Sequence, residues 1–131
     1  MRVGCTGTQT GGNTHQLMVA RQTLSDLYTS GSEFHHGDCV GVDVQLATMA
    51  QEIGYTTVSH PPSDPKRRAF HESDQILIPA PYMKRNQDVV DAVEVLIAVP
   101  KETREVVRSG TWSTVRRGRR KTGLRLILIT P

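Results

Sequence analysis

Cysteine, aromatic side chains and long apolar runs are all scarce in this sequence. There are two cysteines, Cys5 and Cys39, without a CxxC spacing. That excludes a disulfide scaffold and a zinc ribbon, and both side chains are expected as reduced thiols. Aromatic residues make up 5% of the chain, with a single tryptophan, which is little for a base-stacking platform. The longest strongly apolar run, residues 124–129, is broken by Arg125 and falls far short of the roughly 18–20 residues of a membrane helix. No charged-then-apolar leader opens the sequence, so a cytoplasmic location with no membrane contact is the expectation. A length of 131 residues fits one domain, 1–131, able to bury roughly two-thirds of the surface of its unfolded chain.

Charge is present but unevenly spread. The chain carries 16 Lys+Arg against 13 Asp+Glu, a net of +3. Residues 1–100 have 7 basic and 11 acidic side chains, whereas residues 101–121 have 8 basic and 2 acidic ones. The basic character therefore belongs to one segment, which is the footprint of a phosphate-bearing partner or of a solvated helix face.

Hydrophobic periodicity divides the chain into alternating strands and helices. A strand over 2–6 runs into a turn carrying Gly7, Thr8, Gly11, Gly12 and Asn13. Leu17, Ala20, Leu24 and Leu27 then recur at helical spacing over 14–28, and Ser30-Gly31 supplies a stop. The plan repeats with a strand over 33–36, a glycine-bearing turn over 37–41, a helix over 42–53 closed by Gly54, and a β-branched strand over 56–59. Residues 60–73 hold three prolines and three basic residues without an apolar period and read as an irregular loop. A short extended piece over 75–78 and a helix over 83–93 follow. The strand over 94–99 has no polar face, as expected for a central parallel strand covered on both sides. A charged loop over 101–109, a basic helix over 111–121 and a strand over 124–130 complete the pattern, the last with Leu124, Leu126, Ile127, Leu128 and Ile129 expected to be buried. This alternation implies an α/β Rossmann-like domain, a mostly parallel sheet with helices on both faces.

In such sheets ligands sit beyond the carboxyl ends of the strands, and three loops there carry polar residues. The first, 4–13, matches neither GxGxxG nor GxxxxGK[ST], so its glycines and hydroxyls suit an anion without specifying a dinucleotide. The second, 35–43, places Asp38 and Asp43 at a strand-to-helix junction. Asp43 is stabilised there by the helix dipole, and Asp38 is suited to a ribose hydroxyl. The third, Ser109-Gly110-Thr111-Trp112-Ser113-Thr114, opens the basic helix with small hydroxyl residues, the usual seat for a phosphate on free amides, with Arg104, Arg108 or Arg116 at hand for charge. His35, His36, Cys39 and His60 have metal-ligand chemistry, but neighbouring strand residues point to opposite faces and no carboxylate completes a set. No metal or cofactor is expected.

Four blocks in order, His36-Gly37-Asp38 with Gly41 and Asp43, Arg85-Asn86, residues 95–100, and Ser109-Gly110-Thr111-Trp112, resemble the SLOG superfamily. That superfamily joins the DNA-processing protein DprA and the LOG-type cytokinin-activating phosphoribohydrolases, and the resemblance is nearest to its small stand-alone YspA-like members. It implies a Rossmann-like domain that binds a nucleotide or nucleotide-derived ligand, with phosphate where the Gly-Thr block starts its helix, and a homo-oligomer. Gly110 and Thr111 match the Gly-Thr of the LOG-type PGGxGTxxE motif, and Arg85 matches the Arg of its upstream Arg-Lys pair. The motif's glutamate falls at Thr114, the lysine at Asn86, and the glycine pair is replaced by the loop over 101–108.

The candidate site is thus Gly7 and Thr8, Gly37, Asn86, and Ser109, Gly110, Thr111, Ser113 and Thr114 around the nucleotide and its phosphate, with Asp38, Asp43 and Arg85 as the groups for chemistry. Three functions remain open. The protein binds a nucleotide-derived small molecule and hydrolyses its ribose-to-base bond with Asp38 or Asp43 as the carboxylate. Alternatively it senses the nucleotide without turnover, or it binds nucleic acid in the manner of DprA through the basic helix 114–121.

Overall fold

The computed structural model describes residues 1–131. Its six strands are β1 (Arg2–Gly7), β2 (Glu33–His36), β3 (Thr56–Ser59), β4 (Gln75–Ile76), β5 (Val95–Val99) and β6 (Arg125–Leu128). The helices are α1 (Thr14–Leu27), α2 (Val42–Ile53), α3 (Tyr82–Ala92) and α4 (Gly110–Arg120), with a 3₁₀ turn at Pro65–Arg67. All strand pairs are parallel, in the order β4-β3-β2-β1-β5-β6. This is the α/β Rossmann-like architecture that the alternation implied. No helix is long and apolar enough to cross a membrane.

The alternation of β5 shows why the strand has no polar face. Val95, Ile97 and Val99 point into a core shared with Ala20 and Leu24 of α1 and Leu46, Ala47 and Ala50 of α2. Leu96 and Ala98 point the other way, to Val90 and Val93 at the end of α3 and to Trp112 and Val115 of α4. Both faces of a central parallel strand are buried, so every position is apolar. Local signals set the ends: Asn13 caps α1 in a capping box with Gln16, and Ser109 caps α4 by accepting from the Trp112 amide at 3.3 Å.

β6 departs from expectation. Of the five side chains read as buried, Ile129 is, Leu124, Leu126 and Ile127 are half-buried, and Leu128 is 37% exposed. The reason is position, since β6 is an edge strand with a partner on one side, and an apolar run alone does not separate edge from centre. β4, at the opposite edge, is shortened to two residues of the extended piece at 75–78, and Ile78 is 90% exposed.

The carboxyl end of α3 is held by one side chain. Lys121 Nζ donates to the carbonyls of Val90 at 2.9 Å, Asp91 at 3.0 Å and Val93 at 2.6 Å, where a helix leaves acceptors unpaired and favours a cation. Replacing Lys121 with Ala is expected to lower stability by about 2 kcal/mol, the scale of hydrogen bonds to a charged group. A urea midpoint equal to that of the parent protein would show that water serves these carbonyls equally well.

Candidate functional site

The sheet order reverses between β1 and β5: from β1 the chain builds outward to β4, then returns through α3 to the other side. A crevice opens beyond the carboxyl ends of strands at such a reversal. It is a cleft of about 170 Å³ lined from β1 and its loop by Thr6, Gly7, Thr8 and Gln9, from α2 and its loop by Cys39 and Asp43, and from α3 by Tyr82, Arg85 and Asn86. Lys101, Glu102, Ser109, Gly110 and Thr111 close the remaining side.

Arg85 dominates the site. It is 6% exposed, stacks over the Tyr82 ring at 4.8 Å, and donates from Nη2 to Cys39 Sγ at 3.3 Å. It makes no ion pair within the protein, and its Nε has no partner. The neighbouring Asn86, 4% exposed, has an unpartnered Nδ2. Two glycines make room for this arrangement: a Cβ at Gly37 would overlap the Arg85 guanidinium, and one at Gly110 would overlap the Tyr82 hydroxyl. At the start of α4 the amides of Gly110 and Thr111 take no acceptor within the protein, and no acidic residue occupies the first turn. Free amides at a helix start, an unpaired guanidinium and an unpartnered carboxamide thus converge in one crevice.

Asp43 stands behind Arg85 with both oxygens occupied. Oδ1 accepts from Cys5 Sγ at 3.5 Å and Oδ2 from the Cys39 amide at 3.2 Å. Burial pushes its carboxyl above the ordinary carboxylate range, and the Arg85 charge opposes that shift. The two cysteines are free and buried, with both thiols raised chiefly by burial.

Of the residues named from sequence, Gly7, Thr8, Asp43, Arg85, Asn86, Ser109, Gly110 and Thr111 come together in the cleft, and Gly37 lies against Arg85. Asp38, Ser113 and Thr114 are not among its lining. The Thr114 hydroxyl bonds back to the Gly110 carbonyl at 3.0 Å inside α4. Asp38 is turned the other way, with Oδ2 accepting from Arg68 Nε at 3.2 Å and Oδ1 from the His71 amide at 2.9 Å. Its φ of 54°, in the left-handed region, lets the carboxylate reach that loop. Thr6, Gln9 and Cys39 belong to the two loops the sequence marked, while Tyr82, Lys101 and Glu102 were missed; the last two lie just past β5, beyond Pro100, and that position at the reversal was the signal available. Arg104 and Arg108 do not line the cleft, and Arg116 is paired with Glu105 at 2.9 Å.

The basic helix is largely engaged inside the protein. Glu105 also binds Arg119 at 2.8 Å, Arg117 donates to Gln87 at 2.9 Å, and Lys121 serves α3.

Four histidines tie the loop after β3 to β2. His35 Nε2 meets Glu33 Oε1 at 2.9 Å and its Nδ1 meets His60 Nε2 at 2.8 Å. His36 Nδ1 accepts the Asp38 amide at 3.0 Å, so its Nε2 carries the proton toward Ser73 Oγ at 2.8 Å, and His71 Nδ1 lies 3.0 Å from the same hydroxyl. The adjacent His35 and His36 take separate partners, as strand geometry requires.

No protein-family model and no curated protein matches this sequence. Solved structures do. The molybdenum cofactor binding protein of Rippkaea orientalis superposes with a TM-score of 0.75 at 22% identity, over 99% of this chain and 76% of the other. The Moco carrier protein of Chlamydomonas reinhardtii gives 0.69 at 21%, over 99% and 76%. The single-stranded DNA binding DNA processing protein A of Helicobacter pylori gives 0.69 at 18%, over 98% and 64%. These likenesses, all at 22% identity or below, show the shared fold, a Rossmann-like α/β domain with a parallel sheet.

The histidine network sets a pH dependence. Burial lowers His36 to about 3 and His60 to about 4 from 6.5, and lowers His35 as well. Below pH 6.5 the unfolded chain takes up protons that the folded one refuses, so stability falls with pH until the folded values are reached. Asp43, raised by burial, acts in the opposite sense but is one group against three. Urea unfolding is expected to show a loss of about 1 kcal/mol per pH unit for each of His36 and His60 between pH 6 and pH 5, and equal midpoints at pH 7 and pH 5 would contradict it.

Proposed function

We propose that the cleft between β1 and β5 binds a small phosphate-bearing ligand, a nucleotide or nucleotide-derived molecule, without cutting it. Arg85 carries this reading. A buried guanidinium without an ion pair costs several kcal/mol, and a protein that keeps one gains that cost back when an anion arrives. A phosphate in the cleft meets the Arg85 and Asn86 donors, the free Gly110 and Thr111 amides, and Lys101. The volume, about 170 Å³, is below the roughly 300–1,000 Å³ of sites that enclose a whole drug-sized ligand. It suits a phosphate with its adjoining sugar, the rest of the ligand lying at the rim.

Cleavage of a ribose-to-base bond needs a carboxylate with a free oxygen at the sugar. Asp38 spends both oxygens on the neighbouring loop, and Asp43 spends both on Cys5 and Cys39. Neither of these two residues supports hydrolysis in this arrangement; Glu102, which lines the cleft with Oε2 unpartnered, is the one carboxylate left for it, and release of free base is the readout that decides. The nucleic-acid reading through residues 114–121 is weakened because Arg116, Arg117, Arg119 and Lys121 already have partners. The neighbours named for a molybdenum cofactor and for single-stranded DNA nevertheless bring both ligand kinds into the test.

Thermal unfolding with nucleoside monophosphates, ADP-ribose, NAD, molybdenum cofactor and an oligonucleotide separates these readings. A mononucleotide at a hundredfold excess over its Kd is expected to add about 2.7 kcal/mol, with no free base released on chromatography. Arg85→Met is expected to abolish that shift; the free protein loses the charge that opposes the burial of Asp43, so the ligand-induced shift is read against the variant's own ligand-free melting temperature. A full ligand shift in Arg85→Met would overturn the reading, and binding confined to the oligonucleotide with a steep salt dependence would replace it.

A further inference from the structure

The cationic and unpartnered donors of the cleft are Arg85, Asn86, Lys101 and the α4 amides, beside the hydroxyls of Thr6, Thr8, Ser109 and Thr111. A phosphate is the ligand group that suits such donors. Two side chains, Asp43 and Glu102, have the opposite chemistry. Glu102, three residues past the end of β5 by way of Pro100 and Lys101, is half-buried and lines the same cleft. Its Oε1 accepts from Trp112 Nε1 at 2.9 Å, and Trp112 is 2% exposed, so a fixed indole orients the carboxylate. The loop that carries it is pinned to α4 as well, by Glu105 to Arg116 and Arg119 and by Arg116 Nη2 to the Val107 carbonyl at 2.9 Å.

The second oxygen, Oε2, accepts no hydrogen bond within the protein. Asp43, the other carboxylate of the cleft, has both oxygens taken. Glu102 is therefore the one carboxylate there with a free acceptor. A ligand that is only a phosphate gains nothing from it and is repelled by it. A hydroxyl gains a great deal, since an O–H donated to a carboxylate forms a charge-assisted bond about twice as strong as a neutral one. Donors on one wall and a single anionic acceptor on another, within a volume that holds a phosphate and one ring, call for a phosphate and hydroxyls a few bonds apart in the same molecule.

We propose that Glu102 determines the specificity of the cleft: its free oxygen accepts hydrogen bonds from the hydroxyls of a phosphorylated sugar, so that ribose phosphates are taken in preference to their deoxy counterparts. The proposal rests on the phosphate-binding reading above, to which it adds the ligand class and the residue that selects it. Preorganisation through Trp112 makes the selection sharp, because the carboxylate is not free to follow a ligand that lacks the hydroxyl.

The experiment is titration calorimetry with ethyl phosphate, ribose 5-phosphate and 2-deoxyribose 5-phosphate, on the protein and on Glu102→Gln. Glutamine retains the one carbonyl oxygen that Trp112 Nε1 needs and replaces the free, charged acceptor with a neutral amide donor, so the contact that holds the loop is preserved. Ribose 5-phosphate is expected to bind about tenfold more tightly than the deoxy sugar, the difference one charge-assisted bond makes. In Glu102→Gln that preference is expected to vanish while ethyl phosphate binds as well as before or better. If ethyl phosphate binds but the two sugars bind equally, or if the preference survives Glu102→Gln, the role of Glu102 is overturned and the phosphate seat stands. If none of the three phosphates binds, the phosphate seat itself falls, and this inference with it.

Discussion

The parallel pairing of β1 with β5 is the constraint from which the rest of the molecule follows. It runs over five registered pairs, from Val3 opposite Val95 to Gly7 opposite Val99, and the Thr8 amide extends it by donating to the Val99 carbonyl at 3.1 Å. Because these two strands are neighbours in space but far apart in sequence, the chain must leave β1 in one direction and return on the other side. The loops after β1 and β5 are thereby driven apart around a gap, and the starts of α2, α3 and α4 crowd around it. The pairing also demands small residues where helices approach. At Gly7 an added Cβ would overlap the Val42 side chain at the start of α2.

Within that gap, stability and ligand binding pull in different directions. A fold optimised for stability alone would pair Arg85 with a carboxylate or replace it with an apolar side chain. Instead the chain spends two glycines to accommodate it. Gly110 lies against the Tyr82 hydroxyl, the Tyr82 ring faces the guanidinium, and Gly37 lies beneath it. The contacts run without a break from the helix start that would hold an anion to the turn after β2. They fix where Arg85 points more firmly than an ion pair on the surface would.

Much of this was readable from the residues because the sequence is locally consistent. The strands at 33–36 and 56–59 and the helix at 42–53 coincide with the observed β2, β3 and α2, since glycines bracket them and their periods are unambiguous. The Gly-Thr start of α4 and Arg85 were legible for the same reason, as short motifs whose chemistry depends on local backbone. What escaped depends on tertiary direction. Asp38 has the composition of a ligand-binding carboxylate, but a left-handed backbone turns it toward Arg68 and His71. Nothing in its neighbours along the chain announces that turn. Glu102 escaped for the converse reason: it sits in a charged loop without a period, and its partner Trp112 becomes visible only once α4 is packed against β5.

The bond between Trp112 and Glu102 has a spectroscopic side. Trp112 is the sole tryptophan of the chain, so all indole emission comes from one ring. The ring body is enclosed with Ala98 and Val115 while its N–H touches a carboxylate on the wall of the cleft. An indole excited state shifts charge across the ring system, and its emission energy responds to any charge rearranged beside the nitrogen. The protein thus carries its own fluorophore in contact with a carboxylate that lines the cleft. A charge arriving in the cleft beside that carboxylate would change the colour of the intrinsic fluorescence without any label being attached.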